Sequence, residues 1–426
     1  MNRRHFFTNS VALAGLPVIQ GFTPFQNSGL PEKLVISGIE FWQFSGQRMA
    51  SEGFVGWIQS KPSQVYNEGM PNPSDWKEQT GLLDYSAIYL KILTSEGLEG
   101  VYGPVDYEAA LVVEKQLKQV LIGMNALAGE LVWDKLYRHN RHSRAGHFMM
   151  AISAIDNALW DLRGKFFDAP VYKLLGGPTR KEVEFYASCL GFSVEPGEVK
   201  KRCLKVQNMG FRSQKWFFTY GSGDGKAGWL RNVELVKTLR ETLGNETDIM
   251  FDAFMGWDLD LAISWAKEAE KYNPRWLEEP FMPIQHEAFQ KLAEKTSIPI
   301  ATGEHLYNRW EVLDYLKNKS ISVVQADPEW CGGVTELVKI CNLASAFDVQ
   351  IIPHGHNLKA AMHVIASQSP AVCPIGEFLI NKMDHHYHFE KNPPVIKNGK
   401  IELTERPGFD IVFDEDKIKE KKKLNF

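Results

Sequence analysis

The chain has 426 residues, 48 Lys+Arg against 52 Asp+Glu, a formal net charge of −4 and 44% hydrophobic residues. That length suits an α/β barrel with a second domain, and the near balance of charge, with no long basic run, excludes nucleic acid as a partner. The five cysteines, Cys189, Cys203, Cys331, Cys341 and Cys373, form no CxxC pair and are odd in number, so they read as buried thiols and exclude a disulfide framework or a structural zinc site.

MNRRHFFTNSVALAGLPVIQGF opens the chain with Arg3 and Arg4, then an apolar stretch of signal-peptide length, the pattern of a twin-arginine export signal. The expectation is a protein exported to the periplasm with residues 1–30 either removed or kept as an anchor, since no A-x-A cleavage pattern follows. No later apolar run is long enough to span a bilayer. Residues 31–150 read as an α+β domain. LVISGIEFWQF and IYLKILTSEGLEGVYG give short strands, the second broken by SEG as a hairpin. The polar stretch between them, SEGFVGWIQSKPSQVYNEGMPNPSDWKEQTG, has the length and lack of periodicity of a functional flap. Residues 107–136 read as helical, and MMAISAIDNALWDLRGKFF has amphipathic helical spacing.

Residues 151–385 then alternate strictly. VEFYASC, SQKWFF, DIMFDAF, RWLEEP, IPIATGEH, SVVQAD, VQIIPHGH and VCPIGEF are strand-like, with helix-like stretches between most of them, which predicts a parallel β/α barrel. Residues 386–426 are expected to return to the first domain, with KEKKK at 419–423 as a solvated tail.

Asp252, Glu278, Glu304, Asp327, His354 and Glu377 stand at or near the C-terminal ends of successive strands, the rim on which barrel active sites are built. So many ionisable groups on one rim call for a cation. Asp252, Glu278 and Glu304 offer oxygen ligands from consecutive strands, a set suited to Mg²⁺. Glu279 is the alternative to Glu278, because neighbours in a strand face opposite ways. Asp327 bonded to one ring nitrogen of His354 would fix its tautomer and make the other nitrogen a base. His356, farther from the strand end, reads as a loop residue.

These residues resemble the enolase superfamily, specifically its mandelate racemase subgroup. SAIDNALWDLRGK, MFDAF, WLEEP, ATGEH, DPEWCGG, IPHGH and GEF fall in the family's order at similar spacing. The resemblance implies a modified (β/α)₇β TIM-like barrel under an N-terminal α+β capping domain, a Mg²⁺ ion on Asp252, Glu278 and Glu304, and abstraction of a proton α to a carboxylate. It makes Asp327 and His354 the dyad and Glu377 a hydrogen-bonding partner of the substrate carboxylate. Family members are commonly homo-oligomers.

Departures narrow the activity. Where the racemase pattern has K-x-K, this chain has Lys215, Trp216 and Phe217, and a second histidine found in other sugar-acid dehydratases is replaced by Phe254. His354 is left as the one full acid–base residue, an arrangement similar to the L-rhamnonate dehydratase-like enzymes. One base favours syn elimination from an aldonate or aldarate, with Lys215 either stabilising the enediolate or serving as a plain carboxylate contact or a rim salt bridge. His305, Arg48 and Lys61 are candidates for substrate contact, His305 with outward facing equally open. The alternatives are a cycloisomerase or epimerase using the same enediolate, and a non-catalytic exported protein that binds acid sugars.

Overall fold

The structure, a computed structural model, describes residues 33–66 and 71–426; the export segment expected in residues 1–30 lies outside the described residues. Leu34–Phe426 is one compact unit. Strand β1 (Ile36–Met49) runs antiparallel to β2 (Leu82–Thr94), and β2 turns at Gly97 into β3 (Glu99–Tyr102). The first two strands are longer than predicted. Pairing holds from Ile36 opposite Thr94 to Met49 opposite Leu82, so the ladder carries even Ser45-Gly46-Gln47 in extended form.

The predicted helix over 107–136 is interrupted. Helical segments span Tyr107–Leu121, with a π-helical middle, and Gly129–His139. In the gap, the N–H groups of Gly123 and Ala126 donate to the carbonyls of Ile36 and Leu34, so a backbone bridge to the start of the sheet replaces helical bonding. The helix Gly146–Phe166 is buried over most of its surface. It fits under the sheet because β3 presents Gly100, where a Cβ would meet the Ala158 carbonyl at 2.3 Å.

The barrel strands are β4 (Glu182–Ser188), β5 (Ser213–Phe217), β6 (Asp248–Asp252), β7 (Trp276–Glu278), β8 (Ile300–Thr302), β9 (Val323–Val324), β10 (Gln350–Ile351) and β11 (Gly376–Leu379). They pair in parallel in the row β10-β9-β8-β7-β6-β5-β4-β11. The ends of the row meet where Ile351 N–H donates to the Val372 carbonyl, at 2.9 Å. A helix follows each of β4 to β10, giving seven βα units and a last strand. This is the (β/α)₇β barrel with an antiparallel α+β cap. Behind β5 and β6 the ring of Phe218 stacks 5.4 Å from Phe251 and 4.7 Å from Trp257, burying aromatic surface that fixes the strand ends carrying the polar rim.

Two further strands come from the C-terminal segment. β12 (Lys400–Glu402) pairs antiparallel with β4, and β13 (Glu420–Lys423) pairs with β1. KEKKK is therefore a sheet edge rather than a free tail. Its side chains are solvated as the charge suggests, but its backbone completes the cap, and lysines on an edge discourage further pairing. All five cysteines are buried free thiols. Among the described residues no helix is long and apolar enough to cross a membrane.

SAIDNALWDL and DPEWCGG, far apart in sequence, are two halves of one joint. In the Gly146–Phe166 helix, the Ser153 hydroxyl accepts the Gly332 N–H, Asn157 Oδ1 accepts the Val334 N–H, and Asp156 accepts both the N–H and the hydroxyl of Thr335. These carboxylate and amide oxygens satisfy the open N–H groups at the start of the helix Gly333–Ser345. The loop that carries Asp327 and Trp330 is thereby held from the cap side.

Candidate active site

Strand parity aims the polar groups. Tyr186, Met250, Trp276, Ala301, Val323, Ile352 and Ile375 form an apolar layer of their own inside the barrel. Two positions on, and so on the same face, come Ser188, Asp252, Glu278, Gly303, Gln325, His354 and Glu377; Asp327 is two beyond Gln325. Glu304 and Glu279 break the parity by backbone turns. Gly303 takes φ +134°, where an added Cβ would also meet the Gln325 nitrogen at 2.9 Å, and Glu279 takes φ +39°.

Lys215 reaches from β5 into the acidic layer, almost fully buried. Its Nζ bonds Glu278 and lies 2.8 Å from Glu377 Oε1 and 3.3 Å from Asp252 Oδ2. Burial opposes its charge, but Glu278, Glu377 and Asp252 raise its pKa well above the ordinary lysine value. Glu278 is held further by Trp276 Nε1 at 2.9 Å and Gln325 Nε2 at 2.6 Å. Against the pull of burial, Lys215 and His354 keep Glu377 down at about 2, and its Oε2 accepts the Gly355 N–H at 3.0 Å.

His354 Nδ1 lies 2.6 Å from Asp327 Oδ2, and its Nε2 is 3.4 Å from Glu304 Oε2. The second oxygen of Asp327 accepts the Glu329 N–H at 2.6 Å, which locks the carboxylate plane. Burial works against an imidazolium here, but Glu304, the Asp327 bond and Glu377 raise the ring to about 10. His305 behaves likewise, raised to about 9 by Glu279 and Glu304; its Nδ1 is 3.1 Å from Glu279 Oε1.

The acids outnumber the cations that face them. Burial and like-charge neighbours raise Asp252, Glu278 and Glu304 above the usual carboxylate range, Lys215 and His354 notwithstanding. Buried hard oxygen donors with excess negative charge fit a dication of the magnesium class. The structure divides the predicted ligands: Asp252 and Glu278 converge on Lys215, while Glu304 turns to the histidines. Ligand atoms of Glu279, Glu304 and His305 all lie within 4.8 Å of one another, so the alternative acid Glu279 adjoins the same set.

A cavity of about 160 Å³ opens beside this cluster, lined by Glu304, His354, Trp330, Phe254, Trp57, His356, Lys382, Leu190, Leu379 and Asn381. The predicted flap crosses its mouth. Ser60 donates its N–H to the Phe218 carbonyl and its hydroxyl to the Ala253 carbonyl, which docks the flap on the ends of β5 and β6. Of the candidate substrate contacts, His305 is near, its ring 5.3 Å from Trp330. Arg48 and Lys61 are not brought to the cavity: Arg48 donates to the Met49 carbonyl and lies over Tyr85, and Lys61 is exposed. His356, read as a loop residue, lines the cavity. Lys382 and Trp330 had no role in the sequence reading. Lys382 comes from the short helix Ile380–His386 that follows β11, beyond the reach of strand parity.

Residues 198–417 match the model of the enolase C-terminal domain-like family, and residues 79–176 that of the mandelate racemase / muconate lactonizing enzyme N-terminal domain. The L-rhamnonate dehydratase of Saccharopolyspora erythraea is 31% identical over 348 residues, 79% of this chain and 85% of that protein. The crystal structure of L-rhamnonate dehydratase from Gibberella zeae superposes with a TM-score of 0.77 at 26% identity, covering 91% of this chain and 96% of that one; a further structure of that enzyme is complexed with Mg. The 3,6-anhydro-D-galactonate cycloisomerase of Zobellia galactanivorans gives a TM-score of 0.71 at 25% identity, over 90% of this chain and 98% of that one.

Proposed function

The chain belongs to the enolase superfamily, with the mandelate racemase type of domain pair, and we propose that it is a Mg²⁺-dependent dehydratase of an aldonate or aldarate. Kinship with L-rhamnonate dehydratases makes it a lyase of the hydro-lyase class. Asp252, Glu278 and Glu304 would hold the magnesium ion. When bound, it supplies the positive charge that offsets these carboxylates and stabilises the negative charge on an enediolate.

With the negative charge of Glu304 offset by the ion, the raised His354 ring would return toward neutral, and its Nε2 would remove the C2 proton while Asp327 holds Nδ1–H and steadies the imidazolium. Glu377 hydrogen-bonds the substrate carboxylate as it becomes an enediolate, and Lys215 places fixed positive charge beside it. The imidazolium then gives its proton to the 3-hydroxyl, which leaves as water from the same face, and the enol becomes a 2-keto-3-deoxy acid. The observation that carries this reading is the His354–Asp327 pair at 2.6 Å, with phenylalanines, 217 and 254, where a second base would stand. The test is a panel of acid sugars with Mg²⁺, assayed for 2-keto acid with semicarbazide, and His354→Asn on each hit. Dehydration retained by that variant refutes the mechanism.

The cycloisomerase neighbour favours a second reading, in which the enediolate partitions without losing water. Proton NMR in D₂O separates the two: C2 exchange or ring formation without 2-keto-3-deoxy acid supports isomerisation. We further propose export through the twin-arginine segment, tested by fractionating cells with and without Arg3→Lys/Arg4→Lys, and self-association, tested by light scattering.

A further inference from the structure

Lys382 Nζ, which lines the cavity, has one hydrogen-bonding partner among the described residues, His356 Nδ1 at 2.7 Å. Asp106, Asp327, Glu329 and Glu304 act on it through space, but among the described residues no carboxylate lies within ion-pairing distance. An ammonium drawn partly out of water without a counter-ion is costly, and desolvation holds half-buried Lys382 down at about 8. Because His356 Nδ1 accepts from lysine, its proton sits on Nε2, which stands 3.8 Å from Asp106 Oδ1, beyond hydrogen-bond range. Trp330, whose ring lies 5.0 Å from that of His356, has an indole N–H with no acceptor among the described residues. This end of the cavity thus presents three donors, on Lys382, His356 and Trp330, with the Asp106 carboxylate held beyond hydrogen-bond range of His356. A hydroxyl must both give and take a proton, whereas a carboxylate only accepts.

We propose that Lys382, oriented by His356, is a specificity-determining residue that pairs with a second carboxylate at the far end of the substrate, so that the cavity selects aldarates over aldonates. The rings of His354 and His356 are 6.4 Å apart, and Lys382 is bonded to the second of them, which sets the far contact apart from the proton-abstracting ring. The inference rests on the dehydratase reading for what happens at C2, but the selection itself is a matter of binding.

The experiment compares wild type, Lys382→Met and Lys382→Gln against six-carbon aldarates and the aldonates of matching configuration. Methionine keeps the length without the charge, and glutamine keeps a donor. Two readouts are taken in Mg²⁺: calorimetric Kd for each acid, and kcat/KM for each acid that is dehydrated. The expected result is that wild type binds at least one aldarate tenfold or more tighter than its aldonate. Both variants should lose that preference, and the ratio of kcat/KM should fall by the same factor. An unchanged Kd ratio in the variants overturns the role of Lys382, as does a wild type that binds aldonates as tightly as aldarates. If aldarates bind with the expected preference but none of the acids is dehydrated, the binding assignment stands and the dehydratase reading fails.

Discussion

Replacing Asp327 by asparagine tests the dyad most directly, because the geometry dictates what the amide must do. Asp327 Oδ1 accepts the Glu329 N–H at 2.6 Å, and Oδ2 faces His354 Nδ1 at 2.6 Å. In the variant the amide oxygen stays on the Glu329 N–H, since the alternative sets two donors against each other. The NH₂ then faces Nδ1, which must present its lone pair, and the ring proton moves to Nε2. That nitrogen can no longer take a proton from the substrate. Loss of the charge-assisted hydrogen bond alone costs about 1.5–3 kcal/mol, or roughly 10- to 150-fold in rate. The wrong tautomer carries the fall to about 10⁴-fold, the size seen when the aspartate of a Ser-His-Asp triad is amidated. The assay is kcat for 2-keto acid formation together with C2–H exchange in D₂O, alongside the thermal midpoint with and without Mg²⁺. Activity within tenfold of wild type refutes the reasoning. So does a large loss accompanied by loss of the Mg²⁺-dependent shift in midpoint, which would mean a damaged site rather than a wrong tautomer.

Gly333→Ala should destabilise the protein by about 2–5 kcal/mol in urea titration, because φ +85° disfavours a side chain and the new Cβ would meet Asp156 Oδ2 at 2.4 Å. A change below about 1 kcal/mol would show that the joint between the two motifs yields easily. His363 is buried, accepts the Tyr172 N–H on Nδ1, and is lowered to about 3 by burial and Lys359. Its folded pKa lies below the unfolded value of about 6.5, so its contribution is full above pH 6.5 and is lost as the pH falls toward 3, by about 1.4 kcal/mol per unit at most. Denaturation of wild type and His363→Gln between pH 7 and 4 should converge on acidification, and parallel curves contradict the assignment. Chelation with EDTA should abolish dehydration, and Mg²⁺ at about a hundred times its Kd should add about 2.7 kcal/mol of stability. Glu304→Gln should shrink that increment, and an undiminished shift removes Glu304 from the ion's ligands.

The barrel and most of its rim were legible because they are local. A period of two marks each strand and decides which residues share the inner face, so Asp252, Glu278, His354 and Glu377 can be aligned with their apolar neighbours from sequence alone. Parity puts Glu278 on that face, yet a backbone turn brings Glu279 beside Glu304. It fails at Glu304, where Gly303 turns the chain by a backbone conformation that composition does not announce. The proposal of a single base also comes from the sequence, since the absence of lysine or histidine at positions 217 and 254 needs no structure.

What only the tertiary structure decided concerns segments with no repeating pattern. Alternation along β1 assigns Arg48 to a face but says nothing of how far the strand carries it from the cavity, and Lys61 sits on a flap whose docking depends on carbonyls of β5 and β6. KEKKK reads as a tail because its charges need water, yet backbone pairing to β1 asks nothing of its side chains. His356, in the loop after β10, and Lys382, in the helix after β11, meet across the mouth. Charge and periodicity fix what each short stretch can form. Which stretches then face one another is set by long-range closure of the barrel, and that contact is written in no single segment.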